Sequence, residues 1–234
     1  LEHRDLASRV LSPQPAEAQI RSQPLTLPAI KTGLGAFLEK PDQEFKTFPS
    51  LEAALEAANQ SNQGAEAVIE ILGQDGQKQY ALAELKNKVD VPALQQALEQ
   101  LGVKAYVTNT HGVVSVVAPA NESSQARFER VQDLYQVAQA DKARGFDLNR
   151  TGTQEADRTP AYKANLIMVQ DELHVTTTAL RAEKSQLEAE LQHLQTQGKG
   201  EGEKTQALQA RVQKISGQLL ELHTAETIIE ARLT

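Results

Sequence analysis

Hydrophobic positions in the last third of the chain recur with a period of seven. Leu166, Leu173, Leu180, Leu187 and Leu194 form one series. After the break Gly198-Lys-Gly-Glu-Gly202, a second series runs Leu208, Val212, Ile215, Leu219, Leu222, Ile229 and Leu233, with Glu226 as its polar exception. Spacings of four and three mark a heptad seam on a helix. The facing pairs Leu194 with Leu208, Leu187 with Ile215, Leu180 with Leu222 and Leu173 with Ile229 all share one centre, residue 201, inside the glycine-rich break. Turn and seam therefore agree, and the pattern predicts an antiparallel coiled-coil hairpin over 159–234. Thr159-Pro160 supplies the N-cap and first-turn proline, and each arm should be about 45–50 Å long at ~1.5 Å per residue. Gln170, Thr177 and Lys184 fall in the first arm's second column. Lys184 is expected to run its ammonium out past Leu187 to solvent.

Between Thr47 and Pro119 the period changes. Ser50 caps a helix over 51–58. Ala67–Leu72 and Lys78–Leu82 read as two strands joined at Gly73-Gln-Asp-Gly76, where Asp-Gly tolerates positive φ. Asp90 caps a helix with Pro92 in its first turn, Leu94, Leu98 and Leu101 along one stripe, and Gly102 at its end. Val103–Thr108 and Val113–Val117 read as a second strand pair, turning at Asn109-Thr-His-Gly112. The order α-β-β-α-β-β suggests two helices on one face of a small, mostly antiparallel sheet.

The flanks are less regular. A short opening helix carries Leu1, Leu6, Val10 and Leu11. Residues 12–36 hold Pro13, Pro15, Pro24, Pro28, Gly33 and Gly35 and read as extended chain whose Leu25, Leu27 and Ile30 could dock on a surface. A further helix starts at Asn121 or Ser124, buries Phe128, Val131, Leu134, Tyr135 and Ala138, and closes at Gly145. Residues 146–158 read as a polar linker. The fold class is thus α+β, mostly α, in four parts: 1–46, the N-terminal helix and Pro-rich extended segment; 47–120, the small α/β module; 121–158, helix and linker; 159–234, the hairpin. The chain opens on Leu1 in a helical pattern and stops inside a heptad, so we read it as a fragment of a larger protein.

Composition narrows function by exclusion. Aromatics make up 4 % of the 234 residues, the formal net charge is −7 and there is no cysteine. An acidic surface disfavours nucleic acid and anionic membranes. No cysteine means no disulfide, thiolate zinc site or cysteine nucleophile. No apolar run approaches the ~20 residues of a transmembrane helix. The hairpin tip, Lys184 to Lys214, has five basic residues against four acidic, too nearly neutral to grip phosphates. The histidines His3, His111, His174, His193 and His223 show no ligand spacing, and the sequence holds no phosphate loop, dinucleotide fingerprint, zinc-protease or serine-hydrolase motif. We expect no cofactor, no metal and no catalysis; His111, in a turn, is the one residue placed to act as an acid or base.

Candidate interaction residues come from apolar positions off the seam. Ile167, Met168, Val169 and Val175 on the first arm, and Leu220 and Ile228 on the second, lie away from the turn, and Ile167, Met168, Val175, Leu220 and Ile228 are the candidate contact residues. Several such residues at one end mark a contact surface, filled by another part of the chain, a protein partner or a second copy. The resulting reading is a non-catalytic scaffold or adaptor for protein–protein contacts. The Gln/Ala-rich composition points to a bacterial source, and a secreted effector that captures a host protein is one form of this reading. The alternative is an accessory or regulatory coiled-coil region of an enzyme or motor whose catalytic part lies elsewhere. Composition leaves the compartment open between cytoplasm and secretion without disulfides.

Overall fold

The computed structural model describes residues 26–60, 65–73, 75–109, 112–139 and 160–234. Six helices and five strands are present among them: α1 (Leu27–Leu34), β1 (Lys46–Phe48), α2 (Leu51–Gln60), β2 (Glu66–Leu72), β3 (Lys78–Glu84), α3 (Val91–Leu101), β4 (Ala105–Thr108), β5 (Val114–Val117), α4 (Ser124–Gln139), α5 (Pro160–Thr196) and α6 (Glu203–Leu233). The chain is α+β and divides into two compact units. One comprises Pro24–Asp171 with Ile229–Thr234, the other includes Glu172–Ile228.

The first unit is built on an antiparallel sheet of order β1-β3-β2-β4-β5. Its register pairs Ile69 with Ala81 and with Ala105, and Val68 with Leu82 and with Tyr106. Alternation then sends Ala67, Ile69, Ile71, Ala81, Ala83, Ala105 and Val117 to one face. There they meet Ile30 and Leu34 of α1, Leu94 and Leu98 of α3, and Leu38 and Leu85. Val68, Tyr80 and Tyr106 point to the other face, which α2 and α4 cover. The expectation of two helices on one face is therefore corrected: the helices over 51–60 and 91–101 lie on opposite faces, each beside a second helix. The reason is legible in β2, Glu-Ala-Val-Ile-Glu-Ile-Leu, which lacks clean alternation because both of its sides are buried.

Residues 27–34 also differ from expectation. They form a helix, not extended chain. Thr26 Oγ1 accepts from Ala29 N at 3.3 Å, and Pro28 occupies the first turn, where a missing N–H costs nothing. Ile30 and Leu34 are fully buried. Gly33 lets α1 approach α3 closely: a Cβ there would come within 2.8 Å of the Leu101 side chain, which would have to shift. Leu25 and the expected opening helix lie outside the described residues, as do the linker 146–158 and Gly145. Strand β1, three residues long, was not foreseen. Elsewhere the caps match their residues: Ser50 Oγ accepts from Ala53 N, Asp90 Oδ1 from Ala93 N, and Gly102 closes α3 at φ +67°. Ser123 Oγ caps α4 through Ala126 N.

The first turns of α5 belong to the sheet unit. Asn165 is fully buried and its side-chain amide spans the β4–β5 turn. Its Oδ1 accepts from Val114 N at 2.9 Å, and its Nδ2 donates to Gly112 O at 2.9 Å. β5 is the last strand of the sheet, so this amide takes the place of a peptide group of a sixth strand. Ala161, Leu166 and Val169 are buried around it in sequence.

In the second unit α5 and α6 run antiparallel, as the cross-links Glu190–Lys204 and Glu183–Arg211 require. Leu180, Leu187, Leu194, Leu208, Ile215 and Leu222 are buried, as the Leu column predicts. Gly198 turns the chain at φ +70°. The second column differs by one residue. Arg211, Gln218 and Ala225 are buried, whereas Val212, Leu219 and Glu226 are only half-buried. On α5 both Thr176 and Thr177 are buried. The selecting interaction is a fork: Arg211 Nε and Nη2 donate to Glu183 Oε1 and Oε2 at 2.9 and 3.0 Å. A buried guanidinium needs such a partner, and the observed rotation faces Arg211 to Glu183. Lys184 is half-buried and reaches Glu188.

Two outcomes follow for stability. Asn165→Leu leaves Gly112 O and Val114 N buried and unpaired, and should cost about 2–4 kcal/mol in urea unfolding; a loss below ~0.5 kcal/mol would show that the amide is dispensable. Glu183→Leu removes the carboxylate fork from the buried Arg211 and should cost about 2–3 kcal/mol, while Glu183→Leu with Arg211→Leu should recover most of that loss. Equal losses in the single and double variants would show that the fork does not set the seam.

Candidate functional site

Of the off-seam apolar residues noted in the sequence, Val169 is fully buried, a correction to its expected place on an outer face, and four others are partly open to solvent. Ile167 is 40 % exposed, Val175 45 %, Leu220 68 % and Ile228 39 %. Met168 is half-buried. Ile167 and Met168 belong to the sheet unit, and Val175, Leu220 and Ile228 to the α5–α6 unit. On α5, Met168 and Val175 are seven residues apart and so share a face. What α5 buries in the sheet unit is a different set, Ala161, Asn165, Leu166 and Val169.

A second cluster was not found from sequence. Under α4, on the sheet face that carries Tyr80 and Tyr106, lies a chain of charges. Lys78 Nζ is 3.1 Å from Glu70 and 3.4 Å from Asp133. Tyr80 Oη donates to Asp133 Oδ2 at 2.8 Å. Lys104 Nζ lies 3.8 Å from both Glu70 and Glu122 and donates to Ala126 O at 3.2 Å. Glu122 is clasped by Arg130 and approached by Arg127. Lys104, Glu122 and Arg130 are almost wholly buried. The acidic and basic groups come from β2, β3, α4 and the segments before β4 and α4, so each charge holds a different element to the next.

The electrostatics follow from this packing. Burial pushes the Glu122 carboxyl above its usual range, against the pull of Arg130 and Lys104. Burial pulls the Lys78 ammonium down, but Glu70 and Asp133 more than offset this and leave it raised. Tyr80 and Tyr106 are both pushed up, first by burial and then by neighbouring carboxylates. A phenol held protonated in this way does not serve as a base near neutrality. A cleft of about 230 Å³ opens beside this cluster, lined by Ser50, Leu51, Lys78, Tyr80, Asp133 and Gln136 among others. Lys78 and Asp133 are already engaged there with each other, Glu70 and Tyr80. The arrangement holds α4 to the sheet.

At the far end of α5 and α6, a broad groove of about 480 Å³ runs along Gly200–Gln209. Its glycine-rich turn stands next to Lys204-Thr205, but it follows a helix, where a phosphate loop follows a strand. Thr205 Oγ1 donates to Lys199 O and Lys204 pairs with Glu190. The hydroxyl and ammonium that would meet a phosphate are thus committed. His174, His193 and His223 are exposed on the long helices; His3 and His111 lie outside the described residues. Among the described residues no group of three or more His, Asp or Glu is placed to hold a metal ion, and no helix is long and apolar enough to cross a membrane.

Comparison of the chain with protein-family models, curated proteins and solved structures finds no match.

The two buried tyrosines should respond oppositely to loss of the hydroxyl. Tyr80→Phe removes the donor to Asp133 and should cost about 1–2 kcal/mol. Tyr106 Oη has no hydrogen-bond partner among the described residues, so Tyr106→Phe should be neutral within ~0.5 kcal/mol or stabilising. The raised pKa of Lys78, Tyr80 and Tyr106 fixes the sign with pH. Their contribution is complete below the ordinary lysine and tyrosine values of about 10 and is lost as pH rises through the folded values. The tyrosinate absorbance of Tyr80 and Tyr106, isolated by single Phe variants, should therefore appear only together with alkaline unfolding. Reversible ionisation near pH ~10 in a chain that keeps its circular dichroism would contradict this.

Proposed function

We propose that this chain is a non-catalytic protein-interaction module. In this reading α5 and α6 form an antiparallel coiled-coil hairpin that carries the contact surface. The observation that carries the reading is the exposure of large apolar side chains on both long helices, with Leu220 68 % exposed. Isolated apolar residues on a surface are ordinary, but repeated ones on a regular helical scaffold suit helix-to-helix recognition. Two features support it. The charges of the cluster under α4 are spent on one another, and the helix turn that resembles a phosphate loop in composition has its polar groups committed. The bacterial effector form of the reading, and the alternative of a regulatory arm of an enzyme or motor, both use this same surface.

The test is comparative capture. The chain and a variant carrying Ile167→Ser, Val175→Ser, Leu220→Ser and Ile228→Ser are used as bait in parallel. Leu220→Ser should change stability by no more than about 0.5 kcal/mol, and the other three, more than half covered, by about 1 kcal/mol each. A partner recovered by the native chain and lost by the variant, with both baits folded by circular dichroism, is the expected result. Equal recovery by both baits would remove these residues from the contact.

A further inference from the structure

Two residues on the outward side of α6 are unexplained by its own fold. Gly217 lies mid-helix, and a Cβ there would meet nothing within 4 Å. Glycine in a helix interior lowers the helix equilibrium about fivefold relative to alanine, and nothing among the described residues requires it here. Three residues on, Leu220 is the most exposed large apolar residue described. A gap and a projecting side chain thus sit within one turn on one face.

They belong to a longer stripe. Ala210, Gln213, Gly217, Leu220, Thr224 and Thr227 follow alternating spacings of three and four, and all are exposed. None is charged, although α6 carries Lys204, Arg211, Lys214, Glu221, Glu226, Glu230 and Arg232 on its other sides. Depletion of charge is what separates the centre of an interface from ordinary surface. The hydroxyls of the stripe are also met within the helix. Thr224 Oγ1 donates to Leu220 O at 3.0 Å and Thr227 Oγ1 to His223 O at 2.9 Å, so covering them would strand no donor.

We propose that α6 pairs with α6 of a second copy of this chain, antiparallel about a two-fold axis, with Leu220 of each copy seated over Gly217 of the other. The inference rests on the interaction reading above and names its partner. A second copy is the occupant because the surface is self-complementary: a two-fold axis brings each projecting leucine to the other copy's gap. A parallel pairing would set gap against gap and leucine against leucine. Charge agrees. Lys214 and Glu221 are exposed along the same edge of the stripe, and antiparallel pairing faces that edge to its own copy. In the proposed register Lys214 of each copy lies beside Glu221 of the other, twice by symmetry. The opposite edge brings Ser216 beside His223, with no like charges opposed.

Sedimentation equilibrium of the full chain tests this, from about 1 to 200 µM. The expected result is a shift from the 25.6 kDa chain to twice that mass. Leu220→Asp should weaken the dimer at least ~30-fold, with an unchanged melting temperature at low concentration. Gly217→Met fills the gap and should weaken it comparably while favouring the isolated helix. Lys214→Glu should weaken it about three- to tenfold, and Lys214→Glu with Glu221→Lys should restore it. Restoration by that exchange is specific to antiparallel self-pairing. A monomer throughout the range overturns the proposal, as does a dimer indifferent to Leu220→Asp and Gly217→Met. A monomeric chain that still captures another protein through Leu220 also overturns it, and leaves the interaction reading standing.

Discussion

Strand β2 is buried on both of its faces, and the packing of the sheet unit follows from that constraint. With neighbours hydrogen-bonded on either side, β2 must find apolar cover above and below. A chain with few aromatic residues does this with many small contacts: Ala67, Ala81, Ala83 and Ala105 let α1 and α3 approach one face closely. The other face cannot be treated the same way, because Glu70 sits in the middle of β2. Its carboxylate is neutralised by Lys78 and Lys104, whose remaining valences go to Asp133 and Glu122. One charge in a central strand thus recruits basic and acidic groups from four further segments, and α4 adds these charge contacts to its buried Phe128, Val131 and Leu134, where α1 and α3 rely on apolar packing.

Much of this was legible in the sequence, to a depth that varied with the kind of signal. Strands with turn residues between them, and helices with a capping Ser or Asp, were placed within a few residues. Strand β1 was not, because Lys46-Thr-Phe48 is too short to show a period. The α1 helix was mistaken for extended chain because Pro28, Gly33 and Gly35 all read as breakers. In fact Pro28 sits where the helix has no N–H to lose, and Gly33 answers a tertiary contact with Leu101. The assignment of helices to faces was out of reach, since a strand buried on both sides carries no alternation to say which neighbour covers which side. The charged cluster joins residues from Glu70 to Asp133 that share no local motif. A single hint was available: a glutamate flanked by Val68, Ile69 and Ile71 in a strand must find a cation.

The long helices teach a related lesson about periodicity. The Leu column is buried as its spacing suggests, but a heptad with one strong column permits two choices for the second. Apolar Val212 and Leu219 favoured one; Arg211 with Gln218 won. An apolar side chain left half-exposed loses a fraction of its transfer free energy, whereas an unpaired buried guanidinium costs far more. The ion pair thus favours the observed rotation of one helix against the other, in which Arg211 and Gln218 are buried and Val212 and Leu219 are half-buried. The outward face of α6 that carries Gly217 and Leu220 goes with that rotation, which Glu183 favours from the other helix.

The Asn165 amide has a bearing on how the sheet ends. An outermost strand with unpaired main-chain groups is a template on which another strand can grow, and proteins that leave such a margin bare are prone to stack into fibres. At β5 the template is blunted at its first position by a side chain that imitates the peptide it excludes. At the opposite margin β1 is three residues long and runs into Ser50 through Pro49, which has no N–H to offer. Both margins are thus poor templates, one blunted by mimicry and one by brevity. The helix that holds Asn165 cannot leave the sheet without exposing a growing end.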